Sequence, residues 1–250
     1  ISETDFTYNA TEQNPVVTVK DGTTPLELNK DYNLTWPADI INQGSKTITI
    51  NGTGNYTGSF SKTYTINQLS LNNTSTNITL SANSLVYDAS AKTPEVLLVK
   101  VGNLVVPSEA YTFSYASNTN VGTATVTVTA VDGSNFKDSK NTTFSITKRT
   151  ITSDMVKLNT TNFVYNGTVQ KPTVQAASGY TITSNDINVV YPESKDVGVY
   201  TVVVTGKAPN NEGTVNLSYS IASNNQSDVN ITMAGTDDLT YTGNPATRTI

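Results

Sequence analysis

The sequence predicts an all-β chain of tandem sandwiches. Three observations carry that expectation: one phrase recurs at near-constant spacing, long runs alternate β-branched residues with Thr or Ser, and no stretch shows a 3.6-residue apolar period. Each unit is about 77 residues long, too small to bury more than about 60–65% of its unfolded surface, so each core leans on its aromatic residues.

The phrase opens each unit. Residues 5–17 read DFTYNATEQNPVV, 84–96 SLVYDASAKTPEV, 162–174 NFVYNGTVQKPTV and 238–250 DLTYTGNPATRTI. Its anchors Tyr8, Tyr87, Tyr165 and Tyr241 are 79, 78 and 76 residues apart. Two residues before them stand Phe6, Leu85, Phe163 and Leu239, and nine after them Val17, Val96, Val174 and Ile250. Residues two apart share a strand face, so each Tyr and its preceding Phe or Leu are expected to form a core anchor. Full burial of one such side chain contributes about 1.5–3 kcal/mol. Pro15, Pro94 and Pro172 follow their tyrosines by seven residues, at a strand start or edge, because proline donates no ladder hydrogen bond. The fourth copy has Arg248 there and its proline at Pro245.

The next elements repeat in step. DYNLTW (31–36), AYTFSY (110–115) and DINVVY (186–191) alternate apolar and polar residues and end on Trp36, Tyr115 and Tyr191. Gly44, Gly122 and Gly198 precede KTITI, TATVTVT and VYTVVVT, the signature of strands with one buried and one wet face. SKTYTI, NTTFSI and NLSYSI close the units at Ile66, Ile146 and Ile221. About six short strands per unit are expected. The apolar run at 96–106, broken by Lys100 and Asn103, is far shorter than the roughly 20 residues of a spanning helix and reads as a strand pair.

These repeats predict boundaries at 1–69, with an incomplete first strand, at 70–149, at 150–223, and a truncated fourth unit at 224–250. Leu80 and Leu158 lie seven residues before their tyrosines, as Ile1 does, and this phase leads us to expect a piece of a longer array. The joints, near NQLSLNNTST, TKRTITSD and ASNNQSDV, lack flexible Gly/Ser or Pro tracts, so neighbours should sit nearly end to end.

Composition narrows the chemistry. With 36% hydrophobic and 14% charged residues the chain should fold. A net charge of −5 gives no electrostatic drive toward nucleic acid or anionic lipid, and neither partner is expected. The chain has no Cys and no His, which removes disulfides, thiolate metal sites, His-dependent triads and His-ligated metals. Asp and Glu are scattered and out of register, unlike the paired acids of a glycosidase. No catalytic, cofactor-binding or metal site is therefore expected. Asp237-Asp238 lacks the surrounding oxygens of a calcium loop. Lys20, Lys62, Lys100 and Lys140 lie in or near strands, where a Lys–Asn staple would form, but no Lys recurs across all three units. Trp36, the single tryptophan, is a candidate for stacking on a planar ligand such as a sugar, although Tyr115 and Tyr191 hold its register as core or rim aromatics.

The succession of F/L-x-Y-N/D/T-G/A with a proline seven past the Tyr, a DY-containing strand, NVGTATVTV and GNYTG with KTYTI resembles the bacterial Ig-like tandem repeats of the MBG/YDG type. The third unit departs, with Ile187 for the Tyr of the DY strand and NNEG (210–213) for NYTG. The resemblance implies tandem Ig-like β-sandwich repeats of about 77 residues in a linear array, found in large surface adhesins and other secreted bacterial proteins. It implies an extracellular, non-enzymatic stalk that projects a head from the cell surface, with neighbouring repeats of the same chain as partners. Two alternatives stay open: a module binding glycan or host protein, and a fibre subunit completed by strand exchange.

Overall fold

The computed structural model describes residues 1–225. Among them the elements are strands, with one 3-10 turn at Ser108–Ala110. The chain divides into two compact units, the first Ile1–Lys148 and the second from Arg149 onward. The first contains two sandwiches with separate cores, one around Ile48, Ile50 and Tyr64, the other around Val126, Val128 and Phe144. The second contains one, around Val202, Val204 and Tyr219. The chain is thus an all-β protein built from sandwich repeats.

One four-stranded sheet occurs three times. In the first repeat Gly44–Gly52 lies antiparallel to Tyr32–Thr35 on one side and to Ser59–Asn67 on the other. Gly122–Ala130 lies likewise between Tyr111–Ala116 and Ser139–Thr147, and Gly198–Gly206 between Ile187–Val190 and Thr214–Ala222. The central strands bury alternate residues, Lys46, Ile48 and Ile50 in the first and Ala124, Val126 and Val128 in the second, as their alternation of Thr with Ile or Val requires. Gly44 and Gly122 open these strands at φ +130° and +143°, which side chains rarely adopt.

The recurring phrase supplies the fourth strand, and it runs parallel to the strand that closes its own repeat. Phe6 pairs with Ile66, Leu85 with Ile146 and Phe163 with Ile221. All three closing isoleucines are buried, and Phe6 and Phe163 stand edge-on to Tyr64 and Tyr219 at 5.7 and 5.8 Å. A smaller sheet faces this one: the Lys20–Asp21 and Thr24–Pro25 hairpin, then Thr76–Leu80 with Val96–Val101 and Leu104–Val105, then Val156–Leu158 with Val174–Ala176. The run at 96–106 is the expected strand pair, turning at Gly102.

Six strands span the first repeat, as expected, but the other two have more. The additions include two-residue parallel pairs, Leu69–Ser70 with Phe136–Lys137 and Arg149–Thr150 with Asn211–Glu212. They tie Leu69 and Arg149, placed by the sequence at the ends of their preceding repeats, to the repeats that follow. The fourth copy of the phrase, with Leu239 and Tyr241, lies outside the described residues.

Ile146 is 2% exposed, while Val86, one step beyond Ile146's partner Leu85, is 57% exposed. Ile146→Ala should cost about 2–5 kcal/mol in urea unfolding, whereas Val86→Ala should stay within about 0.5 kcal/mol.

Candidate functional site

The anchor tyrosines sit one residue beyond the parallel pairing. Their amides extend it, with Tyr8 N donating to Asn67 O at 2.8 Å, Tyr87 N to Thr147 O at 2.9 Å and Tyr165 N to Ala222 O at 2.9 Å. Their side chains do not share one fate. Tyr87 is buried and Tyr165 exposed, while Tyr8 is half-buried and packs against both cores of the first unit. Its ring lies edge-on to Phe136, 5.5 Å between centroids. The expectation of one common core tyrosine is corrected accordingly: Phe6, Leu85 and Phe163 pack inward, and Tyr8 serves the joint between two repeats.

That joint is short because a single residue, Gln68, separates the closing strand Ser59–Asn67 from Leu69–Ser70 of the next repeat. Its Nε2 donates to the carbonyls of Ser134 and Phe136, both at 2.9 Å. On the other flank Gln43 N donates to Asn135 Oδ1 at 2.8 Å, and Asn135 Nδ2 donates to Asn42 Oδ1 at 2.8 Å. These bonds attach the second repeat to two separate segments of the first, so rotation about the chain at Gln68 would break them. Sequence reading found the joint but not its fastening, since Gln43 and Gln68 belong to no repeated motif.

The corresponding end of the third repeat is polar. Arg149 stands where Leu69 stands in the second repeat, Asn211 where Phe136 stands, and Asp186 where Ala110 stands. Arg149 Nη2 meets Asp186 Oδ1 at 2.7 Å, and its Nε donates to Asn211 Oδ1 at 2.8 Å. Thr183 N and Oγ1 donate to the other carboxylate oxygen at 2.9 and 2.8 Å. Burial alone pushes the Asp186 carboxyl up, but the bonds from Thr183, Arg149 and Asn211 outweigh it and hold it below its ordinary value.

Trp36, the ligand candidate, is half-buried and packs against the first core. Tyr115, at its register, donates its hydroxyl to Pro94 O, and the Tyr191 ring lies 5.8 Å from Lys171 Nζ. All three aromatic residues are half-buried against the core of their own repeat, as rim aromatics at one register, and differ only in their polar neighbours. Among the clefts of the described residues, two matter here. One, of 480 Å3, is lined in the third repeat by Ile182, Ile187, Val189 and Tyr191; the other, of 550 Å3, lies in the first repeat among Leu26, Tyr32, Ile50 and Tyr56. Among the described residues no three His, Cys, Asp or Glu side chains gather as a metal site, and Asp237-Asp238 lies outside them. Lys140 Nζ donates to the backbone carbonyl of Asn73 at 3.0 Å, not to an asparagine amide.

No family model and no curated protein matches the chain. Among solved structures, a protocadherin GammaB4 extracellular domain overlaps 91% of this chain and 49% of its own, at 10% identity and a TM-score of 0.25. Mouse cadherin-23 EC22-24 overlaps 89% and 96% at 14% identity and a TM-score of 0.21. Zebrafish RET cadherin-like domains 1 to 4 overlap 76% and 66% at 7% identity and a TM-score of 0.20. This chain spans about half the length of the first of these. Scores this low transfer neither architecture nor ligand.

Tyr8→Ala and Gln68→Ala should each weaken the coupling of the first two repeats by about 1 kcal/mol. Calorimetry of the variants should show their shared transition separating into two. For Asp186, a lowered folded-state pKa stabilises the fold above the unfolded value of about 3.9, and that contribution is lost as pH falls through the folded pKa. Asp186→Asn should cost about 3–5 kcal/mol at neutral pH, because buried Arg149 loses its carboxylate. The variant's stability should also fall less steeply below about pH 4 than the parent's, as read by urea unfolding across pH.

Proposed function

We propose that this chain is a structural spacer: a stalk segment of a large bacterial cell-surface or secreted adhesin that holds a functional head away from the surface. The observation that carries this reading is the one-residue joint at Gln68, fastened by Tyr8, Gln43 and Asn135. A spacer has to transmit position from one repeat to the next, and hydrogen bonds from two segments do this where a free linker would not. The sequence resemblance to Ig-like repeats of surface adhesins points the same way, and so does the richness in Thr, Asn and Ser, suited to solvated β surfaces. In this role the partners are neighbouring repeats, no cofactor is required, and the chain performs no chemistry.

Display between a cell anchor and a receptor-binding head tests the proposal. Each repeat should add about 30 Å of reach, so the head should engage a receptor recessed beneath a polymer brush only when several repeats are present. The chain without a head should show no binding to a glycan array or to host cells. Saturable binding by the headless chain, or reach independent of repeat number, would assign it to recognition instead.

A further inference from the structure

Two of the three sandwiches have one end completed by an extended segment. In the second, Leu69 N and Leu71 N donate to the carbonyls of Asn135 and Lys137 at 2.9 and 2.8 Å. In the third, Arg149 N and Ile151 N donate to those of Asn210 and Glu212 at 3.0 and 2.8 Å. The last residue of each segment is the plug: Leu71 and Ile151 are 0% and 2% exposed, each inside its repeat's core.

The first repeat has the same receiving frame. Gly52 N donates to Gly58 O at 2.9 Å, as Ala130 N does to Asp138 O at 3.0 Å and Gly206 N to Gly213 O at 2.9 Å. Gly58, Asp138 and Gly213 all take positive φ there. This register makes Asn55 and Thr57 the counterparts of Asn135 and Lys137, and Tyr56 the counterpart of Phe136. No backbone amide among the described residues donates to the carbonyls of Asn55 or Thr57. Beside them lies the 550 Å3 cleft, where Ile50 takes the register of Val128, a member of the core that Leu71 plugs. Phe60, on the cleft's rim, is 51% exposed.

The charges in the cleft choose between the two kinds of segment. Asp31 matches Asp186: each carbonyl accepts the amide that follows the central strand (Thr53, Lys207), and each Oδ2 accepts a turn amide at 2.9 Å. Asp186 pairs with Arg149, whereas the second repeat has Ala110 at this position and receives Leu69. Asp21 adds a second carboxylate to the lining, where Lys20 also stands and the Tyr56 hydroxyl bonds Asp21, so Asp31 is the carboxylate that answers to Asp186.

We propose that this end of the first sandwich is an acceptor for an extended strand of the pattern cation, polar residue, branched aliphatic, as in Arg149-Thr150-Ile151, donated by another repeat of the same kind. The donor's first and third amides bond the carbonyls of Asn55 and Thr57, its aliphatic side chain fills the cleft, and its cation meets Asp31. This assignment stands apart from the spacer reading, because the slot can be filled whether or not the chain holds a head away from a surface.

The test extends the 250-residue chain ahead of Ile1 with KRTITSDMVK, the sequence of residues 148–157. The spacing from the grafted Ile to Ile1 then equals the seven residues from Ile151 to Leu158. Ile1 and Leu158 are in register, since Ser2 N bonds Val16 O as Asn159 N bonds Thr173 O, both at 3.0 Å. Trp36, the single tryptophan, packs on the first core and reports the transition in which this repeat unfolds. The graft should lower the unfolding constant read at Trp36 by about tenfold or more, from two hydrogen bonds and one buried Ile. Replacing the grafted Ile with Asp should erase the gain. Replacing the grafted Arg with Leu should reduce it in the parent but not in Asp31→Asn. Equal stability of the Ile and Asp grafts would overturn the acceptor slot, and equal effects of Arg and Leu grafts would overturn the cationic preference.

Discussion

The structure depends on one backbone pairing, the parallel contact between the phrase that opens each repeat and the strand that closes it. Phe6 against Ile66, Leu85 against Ile146 and Phe163 against Ile221 bring together residues about 60 positions apart and bury an apolar side chain at each contact. Without that pairing, the opening phrase of each repeat would have no sheet to join and the sandwich would lose a flank. Closing so long a loop is entropically unfavourable, so the pairing needs its apolar residues in strict register. This is the physical reason that the phrase recurs.

The same pairing delivers the chain to the joint. Once Tyr8 N has bonded Asn67 O, the residues next to both ends of the pairing lie beside the following repeat. Tyr8 then meets Phe136, and Gln68 spans the carbonyls of Ser134 and Phe136. Closure of one sandwich and docking of the next are thus adjacent events on one stretch of backbone.

The repeats share a scaffold yet differ at the end that accepts a strand. Leu69 with Phe136 and Ala110 is an apolar set, and Arg149 with Asn211 and Asp186 a polar one. The polar set costs desolvation of two charges and adds little net stability over an apolar one. Its consequence is discrimination: a Leu-type segment in the third repeat would strand Asp186 without its cation, and an Arg-type segment in the second would meet Ala110. The sets therefore act against mispairing between repeats that are otherwise nearly interchangeable.

Much of this was legible in the sequence. Period-two runs such as TATVTVT marked the central strands, and Gly44, Gly122 and Gly198 marked their first residues. The run at 96–106 was readable as a strand pair. What escaped were the two-residue strands Leu69–Ser70 and Arg149–Thr150, too short to show a period and held by partners more than 60 residues away. The tyrosine was readable as an anchor but not as a joint residue, because its neighbour Phe136 lies in another repeat. The most direct test of the account is solution NMR of the opening phrases. It predicts slow amide exchange at Tyr8, Tyr87 and Tyr165, together with parallel-strand cross-peaks between Phe6 and Ile66, Leu85 and Ile146, and Phe163 and Ile221. Fast exchange at these tyrosines with no such cross-peaks would contradict it.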